Sequence, residues 1–201
     1  MIFCLPVYDA IAGDKWELKK ESDGIKIYTA TVANANVKAL KADFTATGTA
    51  AQLAAVLLDV NAQKQWVYRT QTSSLIKRIA AHEILYYTEK CMPWPISNRD
   101  GVMRLKIEQD AITHEMTVIV SSVPDVMPAK PGIIRVSSAM VTWTVTPVDA
   151  NTIRIVYEAR VDPGGSVPAW LTNMCCSKGT LETFKGLRKT ITSNAYHSAA
   201  F

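Results

Sequence analysis

The chain has 201 residues, of which 48% are hydrophobic and 20% are charged, and its formal net charge is +4. This composition fits one globular domain with a sizeable core and excludes a charge-rich disordered chain. The basic residues are scattered and form no Lys/Arg-rich block, so we expect no nucleic-acid partner.

The first twelve residues, MIFCLPVYDAIA, differ from the rest of the chain. They end in the A-x-A-like Ala10-Ile11-Ala12, but the basic region and longer apolar core of a complete signal peptide are missing. We interpret 1–12 as either a signal-peptide remnant or a disordered start, followed by one domain over 13–195 and a tail over 196–201. No apolar run approaches the ~18 residues that span a bilayer, so we expect a soluble protein, whether periplasmic, secreted or cytoplasmic.

The residues after this start have the patterns of β-strands. Asp23-Gly24 is a two-residue hairpin turn between Trp16–Lys20 and Ile25–Val32, although Trp16–Lys20 also fits a short helix. The segment VKALKADFTATG alternates apolar with polar residues, which predicts a half-buried strand with Leu40 and Phe44 facing inward.

A helix and a series of strands occupy the middle of the chain. Thr49 is placed to cap a helix through AAQLAAVLLD, and this region runs on to Trp66. TQTSS reads as a polar turn. The strands predicted after it are Leu75–Ala80, Glu83–Glu89, Asp100–Glu108, Thr113–Val123, Ile133–Thr146 and Thr152–Asp162. Short polar turns between them indicate a long antiparallel meander.

The last predicted element is a helix from Val167 to Ile191, with Ser166 as its N-cap and Pro168 in its first turn. Its apolar residues form one broad stripe, which has to be buried against the sheet. The adjacent Cys175 and Cys176 are interpreted as small buried helix residues. No Cys/His spacing resembles a zinc site, so we expect no metal and no cofactor.

Inward-facing residues of the strands decide what the sheet encloses. A long twisted sheet that covers a single helix must curl. On Asp100–Glu108 the inner face carries only apolar residues and one glycine, and Ile155 and Tyr157 share the inner face of the last strand. Alternation shows that these residues are buried; it does not distinguish a filled core from a ligand cavity.

Four motifs carry a family resemblance: PWPISNRDGV, GIIRV at 132–136, VDPGGSVPAWLTN at 161–173, and Trp66 in QKQW. Their order and spacing resemble those of START domains, the lipid-transfer family related to the steroidogenic acute regulatory protein. The resemblance extends from about Trp16 to Ile191 and is greatest to bacterial-type or phosphatidylcholine-transfer-like members. It implies an α+β helix-grip fold, in which a curved antiparallel sheet of about nine strands wraps around a long C-terminal helix.

The resemblance also implies that one lipid is bound in a tunnel between sheet and helix, and that the protein does no chemistry on it. The residues expected to line this tunnel are Leu40, Phe44, Tyr86, Gly101, Met103, Leu105, Ile107, Trp143, Ile155, Tyr157, Leu171, Met174, Leu181 and Phe184. We expect a volume of roughly 300–1,000 Å³, as in typical ligand pockets. Sterol-transferring members resemble one another in a buried arginine at the position of Leu105, so a sterol-type polar anchor is not expected here.

Two aspects of the ligand site stay open at this point. Tyr86, Tyr87, Trp143 and Tyr157 either form an aromatic cage for a choline headgroup or are structural aromatics. The alternative function is a cyclase-like enzyme that uses the same cavity, which would need a positioned acid or base. The inward faces carry no His, Asp or Glu, so we expect no enzymatic activity.

We predict that the lipid enters and leaves at one end of the tunnel. Pro93 and Pro95 make MPWPI a stiff loop, whose Trp94 and Ile96 either touch a membrane transiently or cap the core. Arg99 lies near the tunnel mouth and either anchors the loop or contacts a lipid headgroup. Gly164 and Gly165 are a candidate hinge for the C-terminal helix. We expect the protein to work as a monomer with one lipid ligand.

Overall fold

The computed structural model describes residues 15–31, 38–168 and 175–199. The strands of this described part are β1 Glu17–Ser22, β2 Ile25–Thr31, β3 Lys38–Thr47, β4 Thr70–Ala80, β5 Glu83–Lys90, β6 Arg99–Gln109, β7 Met116–Ser122, β8 Ile134–Arg135, β9 Ser138–Asp149 and β10 Thr152–Asp162. The helices are α1 Ala50–Leu58, α2 Gln63–Trp66 and α3 Thr180–Ile191, and a π-helical turn over Cys175–Gly179 leads into α3.

The strands form one sheet in the order β1-β2-β3-β10-β9-β7-β6-β5-β4. Neighbours on this path are antiparallel, whereas the short β8 pairs with β6 in parallel. The inner face of the sheet packs on α3, where the ring centroid of Phe184 lies 4.6 Å from that of Phe44 on β3. The predicted α+β fold, a curved antiparallel sheet of about nine strands around a C-terminal helix, is confirmed.

Local sequence signals account for the first elements. Asp23 and Gly24 both have positive φ, 53° and 68°, as a tight hairpin turn requires. The strand interpretation of the segment before this turn is therefore correct. Thr49 caps α1 in a capping box, because its Oγ1 accepts from Gln52 N (3.2 Å) while Gln52 Oε1 accepts from Thr49 N (2.9 Å).

Three sequence predictions in the middle of the chain are wrong. TQTSS is part of β4 and not a turn; β4 is an edge strand with three register shifts against β5, so its polar residues face solvent. The helix that begins at Ala50 ends at Leu58 and does not continue to Trp66, because Asp59 Oδ1 caps a separate 3₁₀ turn. Ile133–Thr146 is two strands, β8 and β9, with different partners.

The predicted start of the C-terminal helix is also wrong, since residues 166–168 are not helical. Pro168 disfavours the helical conformation of Val167, which accounts for the later start of the helix. Residues 169–174, which include Leu171 and Met174, lie outside the described residues, and so does the predicted 1–12 segment. At the other end, Tyr196 OH donates to Asp59 Oδ2 (2.9 Å), so contacts of the domain extend to Tyr196. Among the described helices, none is long and apolar enough to span a membrane.

Candidate functional site: an internal cavity

A cavity of about 370 Å³ lies between the inner face of the sheet, α2 and α3. Its apolar wall comes from alternate residues of neighbouring strands, because successive side chains point to opposite faces. Leu105 on β6 pairs with Val120 on β7, which pairs with Val141 on β9, so these three side chains form one row across the cavity. The described residues that line it are Leu57, Gln63, Trp66, Val67, Tyr68, Arg69, Tyr86, Thr88, Lys90, Met92, Met103, Leu105, Val120, Val141, Trp143, Tyr157, Gly179, Thr180, Thr183 and Phe184.

Six of the residues predicted to line the tunnel lie in this lining: Tyr86, Met103, Leu105, Trp143, Tyr157 and Phe184. Three of them pack on one another. The Trp143 centroid lies 4.9 Å from that of Tyr157 and 5.7 Å from that of Phe184, both in edge-to-face geometry. Such aromatic pairs stabilise the wall in addition to their burial.

Other predicted lining residues lie elsewhere in the structure. Those that are not part of the described cavity wall are Leu40, Phe44, Gly101, Ile107, Ile155 and Leu181. Phe44, Ile107, Ile155 and Leu181 are buried in the hydrophobic core, where the ring of Phe44 packs on that of Phe184. The space beside Gly101 is not open: Met103 Sδ lies 3.1 Å from the position of an added Cβ.

Of the four aromatic residues considered for a choline cage, Tyr86, Trp143 and Tyr157 lie in the cavity wall, whereas Tyr87 faces away from it. Its neighbour Tyr86 faces inward, and adjacent strand residues point to opposite sides. Tyr87 OH donates to Glu89 Oε2 (3.0 Å), and Lys130 Nζ lies 4.1 Å from the centroid of the Tyr87 ring. Tyr87 therefore belongs to a polar cluster on the outer face.

Sequence reasoning missed the polar part of the wall. Thr88 and Lys90 follow Tyr86 at period two, so this signal was present in the sequence of β5. Val67, Tyr68 and Arg69 had no such signal, because they follow α2, a helix of only four residues whose placement depends on packing against α3.

The buried phenols of the wall are held in their protonated form. Burial raises the pKa of Tyr86 to about 12, although a hydrogen bond with Gln63 acts in the opposite direction. Burial also raises the pKa of Tyr157, with smaller contributions from Tyr86 and Cys176. Both groups are therefore neutral hydroxyls near pH 7.

The loop over 91–98, which we call the opening loop, joins β5 to β6 beside the cavity. Met92 contributes to the cavity wall, Ile96 is half-buried, and Trp94 is 93% exposed. Asn98 fixes the loop, because its Oδ1 accepts from Met92 N (3.1 Å) and its Nδ2 donates to Glu89 Oε1 (2.9 Å). The Trp94 side chain therefore lies in solvent, on a loop that the hydrogen bonds of Asn98 hold in place.

Arg99 is buried, at 4% exposure, and is not among the described lining residues. Its guanidinium donates to backbone carbonyls, to Ser97 O (2.6 Å) in the opening loop and to Gly164 O (3.2 Å) in the turn after β10. Gly164 and Gly165 have positive φ, 65° and 60°, and a Cβ on Gly164 would lie 3.0 Å from Ile134 Cγ2. Arg99 therefore joins the opening loop to the turn that precedes the C-terminal helix.

Asp100 faces the outer side of the sheet, as its phase predicts, but it is 2% exposed. Arg135 of β8 pairs with it through two contacts, Nε to Oδ1 at 2.7 Å and Nη2 to Oδ2 at 3.1 Å. The same guanidinium donates to the carbonyls of Pro124 and Met127. The outer face of β6 is consequently shielded from water at the start of the strand, where Val102 is also fully buried.

Comparisons with known proteins agree with this architecture. The START domain family model matches residues 10–196. An uncharacterized protein of Pseudomonas aeruginosa is 31% identical over 182 residues, covering 90% of this chain and 88% of the relative. The phosphatidylcholine transfer protein of Mus musculus is 27% identical over 185 residues, covering 90% and 85%. The chain belongs to the START domain family, whose members are known for lipid binding and transfer.

Solved structures show the same fold. The STAR-related lipid transfer protein of Xanthomonas axonopodis superposes with a TM-score of 0.80 at 33% identity, covering 89% of this chain and 99% of that one. An aromatase/cyclase from Streptomyces, Zhui, has a TM-score of 0.51 at 9% identity and covers 78% and 94%. At that identity the likeness to the cyclase concerns the fold alone.

Proposed function

We propose that the protein is a lipid carrier that encloses one hydrophobic ligand in the cavity between sheet and α3. The observation that carries the proposal is a cavity of about 370 Å³ with a mainly apolar wall. This volume lies in the lower part of the range of ligand pockets, roughly 300–1,000 Å³. Similarity to a phosphatidylcholine transfer protein supports a lipid as the ligand class.

Binding without chemistry is the second part of the proposal. The described cavity wall contains no His, Asp or Glu, and its buried phenols remain protonated, so none of these groups supplies a general base there. The rival is a cyclase-like enzyme with the same fold. Turnover of a polyketide or lipid by the purified protein, lost in cavity variants, would favour the enzyme.

Filling the cavity is expected to abolish binding. In Val120→Trp the indole would occupy the row formed by Leu105, Val120 and Val141, so the affinity for a fluorescent fatty-acid probe should fall at least tenfold. The matched control is Ile119→Trp, because Ile119 is the exposed neighbour on the other face of β7. Circular dichroism melting checks the fold, since overpacking costs about 1–3 kcal/mol. Equal probe affinity in both variants would contradict a ligand in this cavity.

The exposed Trp94 is the proposed contact with a membrane. An amphipathic indole on a loop beside the cavity suits the interface between headgroups and acyl chains. Trp94→Ala should weaken binding to lipid vesicles several-fold in a sedimentation assay. Ile112→Ala is the matched control, since Ile112 is 89% exposed in the turn after β6, at the opposite end of that strand from the loop. If Trp94→Ala sediments with vesicles as the wild type does, the loop is not part of the membrane contact surface.

Ligand access is proposed to involve both segments that Arg99 joins. Because one guanidinium binds Ser97 O and Gly164 O, the opening loop and the turn before the C-terminal helix are coupled. Movement of that helix about Gly164 and Gly165 would therefore displace the loop that carries Trp94.

A further inference from the structure

Aromatic rings close the end of the cavity that is distant from the opening loop. Tyr157 on β10 pairs with Trp143 on β9. This row continues across the sheet through Val118 on β7 to Ile107, near the C-terminal end of β6, whereas the opening loop leads into the N-terminal end of that strand. Phe184 of α3 packs on the row, with its ring centroid 5.2 Å from that of Tyr157. Tyr157, Trp143 and Phe184 therefore form the closed end of the cavity, which we call the aromatic floor.

The hydroxyl group of Tyr157 has no hydrogen-bond partner among the described residues. Tyr157 lines the cavity and is half-buried, so its uncovered surface faces the cavity. Tyr86, in contrast, forms a hydrogen bond with Gln63. Trp66 Nε1 and Thr88 Oγ1 also lack a partner in the described part of the chain, but protein atoms cover both of them. Tyr157 OH is thus the polar group that the aromatic floor presents to a ligand.

The surroundings of Tyr157 OH decide which ligand group suits it. Burial raises the pKa of this phenol, so near pH 7 it is a neutral hydroxyl that can donate. Hydrocarbon placed against it would leave a buried polar group without water and without a partner, which is unfavourable. A carboxylate or phosphate is also unfavourable there, because the neighbouring rings of Trp143 and Phe184 offer no positive charge. An uncharged oxygen avoids both costs.

We propose that the ligand enters the cavity with an uncharged oxygen, a hydroxyl or a carbonyl, at its leading end, and that this oxygen accepts a hydrogen bond from Tyr157 OH. The hydrocarbon part then lies along the row of Leu105, Val120 and Val141, between the aromatic floor and the opening loop. This inference rests on the proposed lipid-carrier function and adds the polarity and the orientation of the ligand to it.

The test uses the delipidated full chain and four probes of similar length: dodecan-1-ol, tridecan-2-one, dodecan-6-ol and 1-chlorododecane, which has no oxygen. Their affinities are measured by displacement of the dye Nile red. Tyr157→Phe removes only the hydroxyl. It should lower the affinity for dodecan-1-ol or tridecan-2-one, relative to that for 1-chlorododecane, at least fivefold, which is about 1 kcal/mol, because the buried ligand oxygen loses its donor. Comparing this ratio between proteins cancels the different costs of removing each probe from water.

Tyr28→Phe is the matched control, because Tyr28 lies on β2 and is not part of the described cavity wall. The affinity ratios should stay unchanged in this variant. The ratio for dodecan-6-ol should stay unchanged in Tyr157→Phe as well, because a hydroxyl in the middle of the chain does not reach the floor. Tyr157→Phe should also melt at no lower a temperature than the wild type in circular dichroism, because the lost hydroxyl has no described protein partner.

A lower ratio for dodecan-1-ol, for tridecan-2-one or for both supports the Tyr157 site and identifies its oxygen. Unchanged ratios in Tyr157→Phe overturn the inference and leave the carrier function intact. A fall for dodecan-6-ol as large as that for dodecan-1-ol overturns the orientation, and a Tyr157→Phe protein that melts several degrees lower shows that the hydroxyl already has a partner and overturns the site. If none of the four probes displaces Nile red, the Tyr157 site fails; if Nile red does not bind either, the carrier function fails with it.

Discussion

Replacing Asp100 with alanine is expected to lower the free energy of unfolding by about 3–5 kcal/mol, the usual cost of removing one partner of a buried ion pair. The Asp100 side chain is fully buried, and that of Arg135 is 11% exposed. Without the carboxylate, the guanidinium keeps only its contacts with backbone carbonyls in the segment before β8. Urea unfolding monitored by circular dichroism gives the difference.

The matched control for Asp100 is the pair between Asp43 and Arg154. This pair also has two contacts, at 3.0 and 2.7 Å, but the Arg154 side chain is 55% exposed. Asp43→Ala should cost about 0–1 kcal/mol, because an exposed pair is screened by water. If Asp100→Ala costs no more than Asp43→Ala, the outer face of β6 is not the dry ion-pair site described above. A double variant, Asp100→Ala with Arg135→Met, should recover part of the loss because it removes the unpaired charge.

Replacing Gly186 with alanine is expected to destabilise the protein by about 1–3 kcal/mol, the usual cost of overpacking a tight contact. Helix propensity alone predicts the opposite, a gain of about 1 kcal/mol. A Cβ at Gly186 would lie 2.8 Å from Trp66 O and 3.1 Å from Trp66 Cα, and these backbone atoms cannot move aside without displacing α2. Glycine is therefore required for the close approach of α3 to α2.

The control for Gly186 is Glu182→Ala, at an exposed position of the same helix, which should change stability by no more than about 0.5 kcal/mol. Because Trp66 lines the cavity, Gly186→Ala should also weaken binding of the fatty-acid probe. A stabilised Gly186→Ala variant would mean that propensity decides this position and that α2 adapts freely.

The sequence predicts most of the sheet because its strands are strongly patterned. The bounds of β10, Thr152–Asp162, are those expected from its alternation, and the tight turn at Asp23-Gly24 fixes the first hairpin. β4 was missed at TQTSS because an edge strand with exposed faces has no apolar alternation to reveal it. The separate β8 was missed because its partner, β6, is distant in sequence.

Part of the candidate site could also be predicted from the patterning of the strands. Side chains on central strands, such as Met103, Leu105 and Trp143, follow from period-two phasing once the sheet is assigned. Period-two phasing shows which face of the sheet a side chain lies on. It does not show where along the strand the cavity ends and the packed core begins. Phe44 and Ile155 face inward as predicted and nevertheless pack in the core. The position of the Arg69 side chain depends on the left-handed backbone of Arg69 itself, between α2 and β4, which no local pattern predicts.

Native mass spectrometry of the purified full chain tests the carrier function most directly. A lipid carrier should give a population of single chains with one additional mass, which is released on denaturation and identified as a lipid by extraction. Val120→Trp should lack this additional mass, whereas Ile119→Trp should retain it. A wild-type protein that carries no lipid, and that acquires none when incubated with lipid vesicles, would contradict the account.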